Sequence, residues 1–342
     1  MTDDSKKRFS GILRTAVKFA VAAGVVIWLY HHKSGDLRTG FASFDYLLLL
    51  PALGCSLISS IAASLRWRSL AGMIDIPLTG FQAFSLTMQG MFFSLVIPGG
   101  AVGGDVVKMA VLTKHVKSGS RTEGIFSILM DRIIGMIALF LLALIILLSA
   151  GKYFTGLHIG TSPDLPSGTA LRWIFIIFCA AGLAAGIAVF CHRLIEKLPG
   201  MKTIRHFIDR KSSGKVTRIA NAVDIYAKKR FQLGLWVILT LFIIHLAPAV
   251  SMLCLLSGSG AGLHMLPVIM AVVLGNIAGL IPLFPGGIGA RDAVTVALLI
   301  AAGYSPETAG MAQLMSTLLL IIFNLAGSLF FIADRKKYGE TK

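Results

Sequence analysis

Eight long apolar runs organise the chain, at roughly 14–30, 44–65, 80–97, 124–150, 171–191, 232–256, 265–284 and 308–332. A helix that crosses a bilayer needs about 20 such residues. Hydrocarbon offers no water to backbone N–H and C=O groups, so a run inside it satisfies them internally, and these runs read as helices. Composition agrees, with 56% hydrophobic and 14% charged residues, against about 25% charged in a soluble domain. A soluble globular enzyme, a disordered tail and a secreted disulfide scaffold are excluded. The expected fold class is all-α, a polytopic membrane helix bundle.

Two further apolar runs, 101–113 and 288–303, are too short to span comfortably, and each begins just after a Pro-Gly-Gly. A short helix after a glycine-rich break suggests a re-entrant hairpin that turns inside the membrane and leaves on the side it entered. Charge placement tests this. The chain has 32 Lys and Arg against 16 Asp and Glu, a net charge of +16. Two re-entrant hairpins put Arg66, Arg68, Lys114, Lys117, Arg121, the basic segment 192–231 and Arg335–Lys337 on one side. If both hairpins spanned, segment 192–231 would face the other way. The positive-inside rule favours six spanning helices plus two re-entrant hairpins, with both termini cytoplasmic. The expected location is a bacterial inner (cytoplasmic) membrane. Run 14–30, preceded by Lys6, Lys7 and Arg8 and followed by His31, His32 and Lys33, reads as an uncleaved signal anchor.

The two turns share a pattern. Pro98-Gly99-Gly100-Ala101-Val102-Gly103-Gly104-Asp105 and Pro285-Gly286-Gly287-Ile288-Gly289-Ala290-Arg291-Asp292 both carry Pro-Gly-Gly and an Asp seven residues after the proline. Opening towards opposite sides, they form an inverted repeat with its functional centre near the midplane. The expected organisation is one integral membrane domain over 1–342. Its first repeat is about 44–150 with motif 97–108, and its second about 232–332 with motif 282–292. Between them lies the basic connector 192–231.

Proline ends the incoming helix, and glycine permits positive φ and leaves amides uncovered. The following half-helix aims free N–H groups and its positive dipole end at the membrane interior, which suits a phosphate or carboxylate. The candidate substrate-binding residues are Gly99, Gly100, Gly103, Gly104, Asp105, Lys108, Asp131, Arg132, Gly286, Gly287, Gly289, Arg291 and Asp292. Asp105 and Asp292 read either as helix caps or as proton or headgroup sites, since ionisable groups in a membrane are costly and usually functional. Asp131-Arg132 reads as a packing ion pair or a headgroup contact. Asn276, Gln313 and Asn324 read as interhelical hydrogen-bonding groups, His245 beside Pro248 as a satisfied histidine at a kink, and Gln89 and Met88 as packing.

Within the connector, Val216, Ile219, Ala220, Val223 and Ala227 recur at helical spacing among Lys215, Arg218, Lys228 and Lys229. That pattern reads as a basic amphipathic helix on the inner leaflet or as a solvated connector. Cys55, Cys179, Cys191 and Cys254 lie in or at the ends of apolar stretches and read as small hydrophobes. No zinc spacing, Walker A run or GxSxG is present, and no cofactor, nucleic-acid partner or enzyme activity is expected.

The motifs IPGGAVGGDVVK (97–108), MDRIIG (130–135) and PLFPGGIGARD (282–292) resemble the transmembrane region of lysylphosphatidylglycerol synthases, which also occurs alone in flippase-like membrane proteins. The likeness runs from about residue 10 to 335. In the bifunctional members the resemblance implies movement of aminoacylated phospholipid between leaflets, and residues 1–342 do not include the separate cytosolic aminoacyl-transfer domain of those members. Where such proteins often carry Glu, Arg and Glu-Arg, this chain has Asp292, Lys108 and Asp131-Arg132, so charge is kept.

The leading expectation is a lipid flippase-like protein that binds or translocates an anionic phospholipid or polyprenyl phosphate through a polar centre formed by the two turns. Its partners would be membrane lipids. Two other readings are a proton- or ion-coupled transporter of a small anion and a non-transporting partner of a cell-envelope biosynthesis enzyme.

Overall fold

The computed structural model describes residues 42–97, 101–116, 118–154, 167–191, 210, 214–280 and 287–339. Apolar run 14–30, Pro98, Gly99, Gly100, Pro285 and Gly286 lie outside the described residues. The described residues are helical, with no strand among them. The elements are α1 (Leu49–Met73), α2 (Gly80–Val96), α3 (Ala101–His115), α4 (Arg121–Ser149), α5 (Gly168–Ala188) and α6 (Lys215–Lys228). They continue with α7 (Arg230–Leu239), α8 (Ala247–Gly258), α9 (Met265–Ala278), α10 (Ala290–Ala301) and α11 (Pro306–Gly339). A π-helical segment, Thr240–His245, joins α7 to α8.

Five stretches among the described residues are long and apolar enough to cross a membrane: 46–73, 121–149, 168–191, 230–258 and 306–334. The helix expected over 44–65 runs on to Met73 and carries Arg66 and Arg68 with it. The shorter helices form two antiparallel pairs, α2 on α3 and α9 on α10. With 14 and 12 residues, α9 and α10 measure about 21 and 18 Å, short of a hydrocarbon core of about 30 Å.

The hydrogen bonds show which ends lie together. Arg68 Nε donates to Leu78 O at 3.0 Å, Arg218 Nη1 to Gly119 O at 3.0 Å and the Tyr226 hydroxyl to Leu70 O at 2.9 Å. The end of α1, the loops flanking the α2–α3 hairpin and helix α6 therefore share one face. On the other face Asp45 N donates to Gly258 O at 2.9 Å, and the Tyr304 hydroxyl donates to Gly262 O at 2.8 Å. Phe44, Ala150, Phe154 and Tyr304 join one apolar cluster there. The α9–α10 hairpin thus begins and ends on the face opposite to that of α2–α3.

Helix α1 and the stretch α7–α8 run antiparallel. Beyond the Asp45–Gly258 bond, Ser59 Oγ donates to Ile244 O at 3.4 Å, Arg66 Nη1 to Thr240 Oγ1 at 3.0 Å and Lys229 Nζ to Met73 O at 3.2 Å. Each of these helices leads through a short loop into a hairpin and then a long helix. The packing follows the same exchange: α2 lies on α11 as α9 lies on α4, and α1 touches α4 as α8 touches α11. Antiparallel equivalents with matching neighbours are the geometry of an inverted repeat.

Glycine sets how tightly each hairpin closes. A Cβ built on Gly104 would stand 2.1 Å from Gly90 O, so α3 and α2 meet backbone to backbone. In the second hairpin a Cβ on Gly275 would stand 2.1 Å from Thr295 Oγ1 and 3.0 Å from Arg291 O. The amphipathic connector helix folds against the bundle. Ala222, Val223 and Tyr226 of α6 are buried against Leu70, Ile76 and Phe126, so its apolar face packs on the bundle itself.

Gly104→Ala is expected to pry α3 from α2 and destabilise the folded chain by about 1–3 kcal/mol, the usual range for overpacking. Gly72→Ala, on α1 with open space around it, is expected to be neutral or stabilising by up to about 1 kcal/mol. Thermal unfolding of the two purified variants in detergent checks the contrast.

Candidate functional site

The described candidate residues separate into two groups, one beside each hairpin. In the first, Asp105 is held by Arg132 of α4, whose Nε donates to Oδ2 at 2.5 Å and Nη2 to Oδ1 at 2.8 Å. This fork-on-carboxylate geometry is the strong form of the ion pair. The Arg132 side chain is 48% exposed, while that of Asp105 is 14% exposed. Asp131 points the other way, into the bundle. There Arg66 Nε donates to its Oδ1 at 2.7 Å, both side chains being buried. Asp131 and Arg132 are adjacent in sequence and about 100° apart around the helix, so they serve different partners.

Lys108 lies on α3, one turn beyond Asp105, and is buried. Its ammonium stands 3.6 Å from the Trp67 ring centroid and 3.4 Å from Thr87 Oγ1. Trp67 is fixed in turn by donating Nε1–H to Ser127 Oγ at 3.1 Å. An aromatic face attracts a desolvated cation without neutralising it. The first group holds three cations, Arg66, Lys108 and Arg132, and two carboxylates, Asp105 and Asp131. Its formal balance is positive by one charge, a fitting environment for an anion.

In the second group Arg291 bonds to its neighbour Asp292, from Nε at 2.9 Å and Nη2 at 2.8 Å to Oδ1, and from Nη2 to Thr317 Oγ1 at 2.9 Å. Gln313 of α11 donates to the same Asp292 oxygen at 2.7 Å. Asp292 also accepts the Gly289 amide at 3.3 Å, so it caps α10 while bridging to α11. Both motif carboxylates therefore tie the second limb of a hairpin to the long helix that follows, Asp105 to α4 and Asp292 to α11.

The glycines behave less uniformly than their spacing suggests. Gly287 and Gly289 have φ of 72° and 96°, values that suit glycine. A Cβ on Gly287 would come within 2.7 Å of Gly279 O. The Gly289 amide is already taken by Asp292. Gly103 and Gly104 are buried inside α3, where a Cβ on Gly103 would meet Ile97 Cγ2 at 2.9 Å. These positions serve close packing and turn geometry. Gly99, Gly100 and Gly286 lie outside the described residues.

A cavity of about 170 Å³ lies between α1, α2 and α8–α11. Polar side chains line much of it: Ser56, Ser60, Ser251, Asn276, Gln313 and Asn324, together with Arg291. At about 30 Å³ per water, it holds a handful of waters or one small headgroup. Among the described candidate residues Arg291 alone lines it. Arg66–Asp131 packs against Thr240 on the π-helical segment, and Asp105–Arg132 lies across α3 and α4; the centre expected between the two turns involves Pro98, Gly99, Gly100, Pro285 and Gly286, outside the described residues.

Several of these residues escape pattern reading. Arg66 follows an apolar run and reads as a surface charge, yet its side chain is only 7% exposed. Serines 56, 59, 60 and 64 recur along α1 as a polar stripe whose spacing could have marked the cavity wall. His245 meets Gly135 O at 2.9 Å, as a bonded histidine beside the α7–α8 irregularity. Gln89, expected to be packing, contacts Asp334 at 2.5 Å.

Arg66→Met is expected to destabilise the protein by about 3–5 kcal/mol, because it strands a buried carboxylate. Arg66→Met combined with Asp131→Leu is expected to recover most of that loss, which thermal unfolding of the single and double variants measures.

Comparison with known proteins gives concordant results. The lysylphosphatidylglycerol synthase TM region matches residues 15–327. A UPF0104 membrane protein of Methanothermobacter thermautotrophicus is 20% identical over 300 residues, covering 83% of this chain and 84% of the relative. A UPF0104 membrane protein of Pyrococcus horikoshii is 21% identical over 304 residues, covering 86% and 89%. Both motif-bearing hairpins fall within the family match, and the chain belongs to the lysylphosphatidylglycerol synthase TM region family.

Proposed function

We propose that this multi-pass membrane protein binds an anionic phospholipid or polyprenyl phosphate and moves it between leaflets of the cytoplasmic membrane, with no catalytic step. The observation that carries the reading is the cavity beside Arg291, lined in part by Ser, Asn and Gln side chains within an otherwise apolar bundle. Intramembrane polar surface of this kind is costly and usually marks a substrate path. The net positive group around Lys108 and Arg132 supplies attraction for phosphate on the first hairpin. Arg291 supplies it on the second, while acyl chains stay in the bilayer. Two hairpins that open to opposite faces give each leaflet its own approach, which suits alternating access.

The concentration of Arg68, Lys114, Arg121, Arg218 and Lys229 at the end where α1 finishes supports a cytoplasmic assignment for that face. On this reading both termini are cytoplasmic. Asp105 and Asp292 hold the cationic side chains in register, so their loss should disable movement of the headgroup more than folding.

Reconstitution with fluorescent phospholipid and with undecaprenyl phosphate tests the proposal. The wild-type chain is expected to translocate at least one of them, and Asp105→Asn/Asp292→Asn to fall to the rate of protein-free liposomes. Equal translocation by the double variant would overturn the mechanism. Uptake of water-soluble phosphate with no lipid movement would replace it with an anion transporter.

A further inference from the structure

The cavity beside Arg291 holds polar groups that the folded chain itself leaves unused. Its wall from α11 is regular: Gln313, Ser316, Leu320 and Asn324 recur at spacings of three and four, one face of a helix. One turn further on, a Cβ on Gly327 would collide with Met88 O, so α11 is held against α2 beside Asn324. Asn324, Gln313 and Ser251 of the wall are 6%, 4% and 8% exposed. The side chains of Asn324 and Ser251, and that of Asn276, have no hydrogen-bond partner among the described residues. Gln313 donates its nitrogen to Asp292 and Thr317, and its Oε1 has no partner among the described residues. A buried polar group without a partner is costly, so these amides and this hydroxyl call for a ligand or for water.

The charge in the same wall is already balanced. Arg291 is the one charged side chain that lines the cavity, and its Nε and Nη2 both donate to Asp292. Asp292 is neutralised by that contact and does not line the cavity, so an ammonium group would meet no carboxylate there. Nη1 of Arg291 has no partner among the described residues and remains for a phosphate oxygen. Whatever the phosphate carries then faces neutral amides and hydroxyls, which both donate and accept.

We infer that the lipid handled here is a phosphodiester whose headgroup is an uncharged polyol or sugar. The inference names the headgroup class for the lipid reading above and rests on it. Every hydroxyl of such a group is donor and acceptor at once, which matches Asn, Gln and Ser side chains. Its C–H faces suit Leu319, Leu320 and Phe323 of the same wall, in the manner of ligand sites where a few convergent polar groups orient a largely apolar contact. About 170 Å³ admits one ring or one short polyol, not an oligosaccharide. An aminoacyl or ethanolamine headgroup brings in a positive charge without a partner, and a bare phosphate monoester leaves the buried amides unpaired.

The test measures binding of short-chain lipids to the full chain purified in detergent. Phosphatidylinositol has a ring of hydroxyls, whereas phosphatidylmethanol has the same charge and none. Phosphatidylinositol is expected to bind about tenfold or more tightly than phosphatidylmethanol, the penalty for leaving buried polar groups unpaired. That ratio is expected to fall towards one in Asn324→Leu and part of the way in the milder Ser251→Ala. Because both lipids are measured on the same variant, the ratio separates recognition from a loss of folding. A wild-type ratio near one, with both lipids bound, would overturn the inference and leave the lipid reading standing. Tighter binding of phosphatidate, phosphatidylethanolamine or undecaprenyl phosphate, or an undiminished ratio in both variants, would overturn it equally. Binding of none of these lipids would overturn the inference and the lipid reading together.

Discussion

Non-helical backbone at membrane depth survives only where protein or a wet cavity covers it. That constraint governs the arrangement of this bundle. Within each hairpin the two helices meet at glycine, close to backbone contact. Gly104 meets Gly90 in the first hairpin, and Gly275 meets Thr295 and the Arg291 carbonyl in the second. The long helices then close over the pairs, α4 and α11 each receiving a carboxylate from the hairpin before it.

The same economy explains the placement of charge. The Arg66–Asp131 pair is buried and ties α1 to α4, with Thr240 adding a contact from the π-helical segment. Such a pair fixes register more than it adds stability. The half-exposed Arg132 is different. Its partner Asp105 satisfies one edge of the guanidinium and leaves further N–H donors outward. Lys108 behind it is partnered by an aromatic face and a distant hydroxyl. A structural pair next to an incompletely satisfied cationic group is the division of labour expected where an anion is handled.

Much of this was readable along the chain because the signals are local. The Pro-Gly-Gly turns, the short apolar runs after them and the distribution of Lys and Arg together imply two hairpins opening to opposite faces, and the described helices are arranged that way. The recurrent Asp at one spacing also has matching structural roles. Partners far apart in sequence were not readable. Arg66 finds Asp131 across 65 residues, and Gln89 finds Asp334 across 245. Nothing in either neighbourhood encodes the approach, which depends on how α1 meets α4 and how Gly327 admits α2. The amphipathic helix α6 shows a second limit. Its period marks an apolar face, but the period is the same whether lipid or protein covers that face.

Everything rests on the hairpins returning to the side from which they start. Accessibility of single cysteines to a membrane-impermeant thiol reagent, in a chain otherwise freed of cysteine, measures this directly. Pro77→Cys and Gly119→Cys, flanking the first hairpin, are expected to label from one side of sealed vesicles. Gly262→Cys and Ser305→Cys, flanking the second, are expected to label from the opposite side. Labelling of Pro77→Cys and Gly119→Cys from opposite sides would mean that α2 and α3 cross the membrane in full, and the account would fail.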